Sequence, residues 1–316
     1  MVISNPAAPY LRGLDRLPAG TEVVIGNTPE AFASLGDRAD VVLYCMNAGV
    51  KLEALWHLAP NARWLHSMAA GLESTLFPAL VESEIPMTNA RGVFKESLGE
   101  FGIASILYFA KDLRRMNRNQ EAGRWEQFDV EMITGKTLGI VGYGEIGRAT
   151  AVRAKALGLK IHAIRRRPEL SGSDPVVDRS FAIADRAEML AGSDYVLVAA
   201  PLTEETRGLI GASELAAMKS SAVLINLGRG PVVDEAALIA ALSSGQIRGA
   251  ALDVFDVEPL PAGHPFWTLE NVLLSPHCAD HTATWTDEAI QFFVDNCQRF
   301  IEGKPLENLV NKKAGY

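Results

Sequence analysis

The sequence predicts an α/β protein made of two doubly wound parallel-sheet domains with a cleft between them. Three observations lead there. The chain has 316 residues, near the length of two compact units. Short apolar runs alternate with stretches of helical spacing, the pattern of parallel strands buried between layers of helices. One of those runs opens into three closely spaced glycines followed by a helical stretch.

In the first third, runs at 22–25, 41–46 and 64–68 read as buried strands, and the spacings at 29–35 and 52–58 suit short helices. From Phe94 through Leu98, Phe101, Ile106, Phe109 and Leu113 apolar residues recur at helical spacing, so one long helix over 94–116 is expected to lead into the second domain. There, strands are expected at 137–141, 160–164, 195–199, 222–226, 250–254 and 272–274, with helices between them. After Thr282 an amphipathic stretch runs through Phe292, Phe293 and Phe300.

Composition narrows the function classes. Hydrophobic residues at 48% and charged residues at 22% match a globular chain with a full core. A formal charge of -8 and a pI near 5.4 argue against a broad basic surface, and so against nucleic-acid or anionic-membrane binding. Pro6, Pro9 and scattered charges interrupt the start of the chain where a signal peptide needs an apolar segment, and no later run is long enough to span a bilayer, so a cytoplasmic location is expected. Cys45, Cys278 and Cys297 lack the spacing of a metal site or redox motif and read as reduced, non-catalytic thiols; no metal is expected.

The segment TLGIVGYGEIG at 137–147 is the strongest single signal. Gly142 permits a tight turn, Gly144 lets a pyrophosphate approach the backbone, and Gly147 lets helix and strand pack closely. With Tyr143, Glu145 and Ile146 they form a Rossmann-type phosphate loop, and the amides at the helix start bind the anion. At the end of the next strand, where NAD-binding chains place an acid against the ribose hydroxyls, this one reads Ile164, Arg165, Arg166, Arg167, Pro168. A carboxylate repels a 2'-phosphate, whereas guanidinium groups bind it through charge-assisted hydrogen bonds. NADP is therefore the expected cofactor, held by Arg165 and Arg166, and NAD is the less favoured one.

Ligands of an open parallel sheet collect at the carboxyl ends of its strands. Those ends deliver Arg229, Asp253 with Glu258, and His277. Reduction of a 2-oxo acid needs a proton donor for the developing alkoxide and a cation for the substrate carboxylate. His277 fits the first need, Glu258 orients and charges its ring, and Arg229 fits the second in a geometry lysine does not reproduce. Further cofactor contacts are expected at Ala200, Pro201, Thr206, Leu227, Gly228, Asp253 and His277. His57, His66, His162, His264 and His281 have no comparable context and read as structural.

GYGEIG, PLTEETRGLI, INLGRGPVVDEAAL, ALDVFDVEP and NVLLSPH together resemble the D-isomer-specific 2-hydroxyacid dehydrogenases; the resemblance spans the nucleotide domain and thins over the first ninety residues. It implies that Arg229, Glu258 and His277 are the catalytic trio and that Asp253 sits near the nicotinamide carboxamide. It implies a substrate domain of residues 1–92 with 284–316 and a dinucleotide domain of 93–283. It also implies a homodimer, with the helix at 94–116 in its interface, and a substrate-carboxylate site made by the backbone of Ala69, Ala70, Gly71 and Leu72. Departures from the family pattern are the arginine run, Lys95, Glu96 and Asp280.

An arginine run at this place resembles that of glyoxylate and hydroxypyruvate reductases, so a short 2-oxo acid reduced to the D-2-hydroxy acid by NADPH is the expected reaction. Phosphoglycerate dehydrogenase is one alternative, and it needs extra cations such as Arg63, Arg91 or Lys95. A dinucleotide-sensing corepressor is another, since such relatives keep the trio; turnover separates it from an enzyme.

Overall fold

In the computed structural model, which describes residues 1–315, the chain forms two compact units. The first joins Met1–Phe94 to the segment that begins at Thr282; the second is Lys95–His281.

The first unit holds a five-stranded parallel sheet of β1 (Val2–Ile3), β2 (Ile25–Gly26), β3 (Val41–Tyr44), β4 (Trp64–Ser67) and β5 (Met87–Asn89), in the order β2-β1-β3-β4-β5. Short helices α1 (Leu52–Trp56) and α2 (Pro78–Glu82) flank it. Two strands, β1 and β5, are too short to show as apolar runs, and β5 is Met-Thr-Asn. The run at 22–25 pairs only from Ile25, and the stretch at 29–35 makes a single 3₁₀ turn, Glu30–Phe32, instead of a helix.

The second unit opens with α3 (Lys95–Ala110) and α4 (Leu113–Glu121). The expected continuous helix over 94–116 is broken. Asp112 adopts a left-handed backbone (φ 50°), and its side chain accepts the Arg115 N–H (3.4 Å), so it ends one helix and caps the next. Apolar periodicity continues across the break, which is why the sequence hides it.

Seven parallel strands follow: β6 (Thr137–Val141), β7 (Lys160–Ile164), β8 (Arg179–Phe181), β9 (Tyr195–Val198), β10 (Val223–Asn226), β11 (Gly249–Leu252) and β12 (Val272–Leu274). The helices between them are α5 (Glu145–Ala156), α6 (Pro168–Gly172), α7 (Arg186–Gly192), α8 (Ala212–Ala217) and α9 (Glu235–Ser243). Six strands lie where the sequence put them. The seventh, β8, is the edge segment Arg-Ser-Phe, where pairing on one side only tolerates polar residues.

Sheet order is β12-β11-β10-β9-β6-β7-β8. From β6 the chain winds outward through β7 and β8, then returns to β9 on the other side and winds the opposite way. That reversal opens a crevice above the carboxyl ends of β6 and β9, where nucleotides bind in such sheets. The strands Tyr195–Val198, Val223–Asn226 and Gly249–Leu252 are buried at every position, as expected of a sheet covered on both faces.

The final helix α10 (Trp285–Ile301) packs on the first unit, Phe293 stacking on Trp64 at 5.5 Å between ring centroids. Cys45 and Cys297 are buried in the same unit, and burial pushes both thiols up to about 12, which suits inert packing residues. Among the described residues no helix is long and apolar enough to cross a membrane.

Candidate active site

The glycine loop leaves β6 and enters α5. Gly142 has φ +93°, and a Cβ there would lie 2.5 Å from the Ala200 amide nitrogen, so both the turn and the neighbouring β9 end demand glycine. At Gly144 nothing stands within 4 Å of where a Cβ would be. No side chain caps α5 at that residue, and the positive end of the helix dipole lies there. Open room and uncapped amides at the switch point fit a pyrophosphate.

At the end of β7, Arg165 is half-buried and close enough to Tyr143 for its charge to act on that hydroxyl, while Arg166 is exposed and acts on Glu205. Ala200 backs both Gly142 and Gly228, where a Cβ would meet the Ala200 carbonyl oxygen at 2.7 Å. Thr206 Oγ1 donates to the Pro201 carbonyl (2.6 Å) and so shapes the turn that follows β9. Leu227 is buried, its N–H bonded to Val198 (2.9 Å).

Neighbouring strands β10, β11 and β12 supply the reactive candidates. After β10, Asn226 ties its own turn together: its Oδ1 accepts the Gly228 N–H (3.1 Å) and its Nδ2 donates to the Arg229 carbonyl (3.1 Å). Arg229, half-buried, donates through Nη1 to the Gly228 carbonyl (2.8 Å). Gly230 then packs directly on the loop after β11, since a Cβ there would lie 2.0 Å from the Phe255 carbonyl carbon. In that loop the Phe255 N–H donates to Glu258 Oε1 (2.9 Å), which leaves Oε2 to accept from His277 Nδ1 (2.6 Å).

His277 has a left-handed backbone, φ 51°, a conformation that costs a non-glycine residue about 1–2 kcal/mol. Asp253 holds the turn on both sides of it. Its Oδ1 accepts from Ser275 Oγ (2.5 Å), the Cys278 N–H (3.0 Å) and the Ala279 N–H (3.1 Å); Oδ2 takes none of the three. The resemblance assigned Asp253 to the cofactor alone, so its grip on the histidine turn is a second task that the sequence did not reveal.

The electrostatics follow from these bonds. The hydrogen bond to Glu258 raises His277 above the ordinary histidine value; burial opposes it and the Glu258 charge adds to it, while Arg229 pulls the other way. Burial pushes Glu258 up, but the bonds from His277 and the Phe255 N–H, with the charges of His277 and Arg229, win and leave it below the usual glutamate range. Asp253 is raised, because burial outweighs its three donors. The result is a partly exposed imidazole whose charged form the Glu258 bond favours over that of an ordinary histidine, beside a half-buried guanidinium.

In the first unit, Ala69, Ala70 and Leu72 turn their carbonyls inward, to the Ala90 N–H (3.3 Å), Asn89 Nδ2 (2.6 Å) and the N–H groups of Thr75 and Leu76 (both 2.9 Å). Gly71 lies between them, half-buried. Of the cations that a phosphorylated substrate would need, Arg63 pairs with Asp40 (3.4 Å) and Lys95 with Glu145 (3.2 Å). His264, read from sequence as structural, donates to Glu235 from Nε2 (3.1 Å) while its Nδ1 accepts the Phe266 N–H; Glu235 also accepts the Asp256 N–H (3.3 Å), two residues before Glu258.

Comparison with known proteins decides the family. Residues 103–279 match the model of the D-isomer specific 2-hydroxyacid dehydrogenase NAD binding domain. The chain belongs to the D-isomer-specific 2-hydroxyacid dehydrogenase family. Within it, the chain is 35% identical to a glyoxylate/hydroxypyruvate reductase B of Yersinia pestis over 91% of its own length and 88% of the relative's. It is 37% identical to a glyoxylate reductase of Aeropyrum pernix, covering 90% and 87%. Among solved structures, a family member from Xanthobacter autotrophicus Py2, crystallised with NADPH and MES, superposes with a TM-score of 0.85 at 31% identity, covering 100% of this chain and 98% of that one.

The family dehydrogenase should lose the raised imidazole when its partner is neutralised. In Glu258→Gln, the NMR titration midpoint of the His277 ring is expected to fall below the ordinary value of 6.5, since burial and Arg229 then act without the carboxylate. An unchanged midpoint would show that Glu258 does not set it.

Proposed function

We propose that this dehydrogenase reduces a short 2-oxo acid, of the glyoxylate or hydroxypyruvate kind, to its D-2-hydroxy acid with NADPH. The observation that carries the reading is the 2.6 Å hydrogen bond between His277 Nδ1 and Glu258, which raises the imidazole above the ordinary histidine value in the loop beside Arg229. A reduced nicotinamide, when bound, supplies the hydride; the chain's residues do the rest. Gly142, Tyr143, Gly144, Glu145, Ile146 and Gly147 cradle the pyrophosphate, with Ala200, Pro201, Thr206, Leu227 and Gly228 along the cofactor's path. Arg165 and Arg166 bind the 2'-phosphate. Asp253 offers Oδ2 to the carboxamide.

Arg229 binds the substrate carboxylate and carbonyl oxygen together, so charge developing on that oxygen meets a fixed cation. His277 gives the proton from Nε2 to the same oxygen, and Glu258 stabilises the imidazolium until then. The family resemblance gives the backbone amides of Ala69, Ala70, Gly71 and Leu72 a part in binding the substrate carboxylate, and the carbonyls of Ala69, Ala70 and Leu72 are already bonded within the first unit. That the Yersinia and Aeropyrum relatives are named as glyoxylate/hydroxypyruvate and glyoxylate reductases supports a small, unphosphorylated substrate, as does the pairing of Arg63 and Lys95 with carboxylates. The NADPH of the Xanthobacter structure supports the cofactor assignment.

The reading includes a homodimer. In the second unit Trp125 is 96% exposed and Met132 70%, close in sequence to exposed Met116 and Val130. So much apolar surface in one region marks an interaction face, and it falls on α4 and the segment after it more than on α3, whose Gly99 packs on α5. Sedimentation should give a dimer that Trp125→Glu with Met132→Glu converts to monomer; a monomeric wild type would remove this part of the reading.

Purified protein should oxidise NADPH with glyoxylate or hydroxypyruvate. Silence across a panel of 2-oxo acids would favour a dinucleotide-sensing role instead. Because His277 must carry a proton, kcat/KM for reduction should be flat at low pH and fall tenfold per pH unit above the raised pKa, with the reverse reaction showing the opposite limb. A reduction rate that does not fall on the alkaline side would exclude His277 as the donor.

A further inference from the structure

Outside the proposed catalytic trio, one half-buried carboxylate joins two segments of the proposed nucleotide site. Asp174 lies ten residues beyond Ile164, on the return from the excursion that carries the three arginines and α6. Its Oδ2 accepts from both Tyr143 Oη (3.2 Å) and Arg148 Nε (2.7 Å), and its Oδ1 accepts the Val176 N–H (3.1 Å). The Asp174 side chain is only 12% exposed. Tyr143 stands between the two glycines of the phosphate loop, and Arg148 lies in the first turn of α5. One side chain thus fastens the end of the arginine excursion to the glycine loop and to the helix that faces the pyrophosphate.

The start of the excursion is fastened to the same place. The Gly142 and Tyr143 N–H groups both donate to the Ile164 carbonyl, at 3.0 and 3.1 Å. Residues 165–173 are therefore a loop closed at both ends on the glycine turn, and Arg165 is its first residue, directly after the Ile164 carbonyl that accepts the Tyr143 N–H. Nothing in NAD binding as such calls for the second closure: the pyrophosphate and ribose need the glycine loop and the β7 end alone. A 2'-phosphate needs more, because its affinity depends on where flexible guanidinium groups are held. Arg148, neutralised by Asp174, is also kept from competing with Arg165 for the phosphate.

We infer that Asp174, through Tyr143 and Arg148, is a positioning residue for cofactor choice: it holds the arginine loop in the shape that receives the 2'-phosphate. The inference rests on the NADPH reading above and adds the residue on which its selectivity depends. A structural role alone would loosen the site for either dinucleotide. A positioning role acts on NADPH and spares NADH.

The test is steady-state kinetics of the full chain with NADPH and NADH at saturating glyoxylate, for wild type, Asp174→Ala, Asp174→Asn, Tyr143→Phe and Arg165→Asp. Asp174→Ala should raise KM for NADPH about tenfold, the scale of one charge-assisted contact, and leave KM for NADH within twofold. Asp174→Asn, which keeps part of the hydrogen bonding, should fall between it and wild type, and Tyr143→Phe should raise KM for NADPH about threefold. The inference is overturned if Asp174→Ala leaves KM for NADPH within twofold, lowers it, or raises both cofactors' KM alike. If wild type shows no NADPH preference, the cofactor reading and the inference fall together. If Arg165→Asp abolishes a wild-type preference that Asp174→Ala leaves intact, the inference alone falls.

Discussion

The contact of 2.6 Å between Glu258 and His277 is the constraint around which the second unit is arranged. A histidine that gives up a proton near neutral pH must hold it there first, and a half-buried ring beside a guanidinium does the opposite unless a carboxylate faces it. Once that carboxylate is required, its own position must be secured. The Phe255 N–H, the glycine at 230 that lets two loops touch, and Glu235 beneath Asp256 all act on the loop that carries it. On the other side, Asp253 supports a backbone conformation at His277 that an isolated chain disfavours. Two loops from adjacent strands are each tied down so that one hydrogen bond can exist between them.

Sheet topology makes this arrangement possible. Because β10, β11 and β12 are neighbours with parallel register, residues just past their ends are brought together without any long-range search: Asn226 pairs with Leu252, and Leu252 with Leu274. The winding reverses at β6 and β9, so the glycine loop lies at the other flank of the same edge. The glycine loop and the loops that carry Arg229, Glu258 and His277 therefore share one rim of one sheet.

Much of this was legible in the sequence, for identifiable reasons. Strands covered on both faces are continuous apolar runs, so the five inner strands of the second unit, and the apolar edge strand β12, could be placed directly. Gly142 and Gly147 could be read because a Cβ at either would run into neighbouring backbone, and Gly144 because it leaves the space before α5 open. Arg229, Glu258 and His277 could be read because they follow such strands. What was hidden depends on contacts between segments distant in the chain. Asp112 interrupts an apolar period without a glycine or proline to announce it. Strands β1, β5 and β8 have too few residues, or too polar ones, to leave a pattern. Asp253, Asp174 and Glu235 are acids like many others until the backbone brings N–H groups to them.

If His277 and Glu258 act as one unit, their effects on reduction cannot be independent. The most direct measurement is a double-mutant cycle on kcat/KM with His277→Asn, Glu258→Gln and the double variant. The account predicts that, once the histidine is gone, removing Glu258 costs little more, so the double variant is about as slow as His277→Asn alone. Losses that multiply across the cycle would mean that the two side chains contribute separately, and would contradict the claim that the carboxylate works through the imidazole.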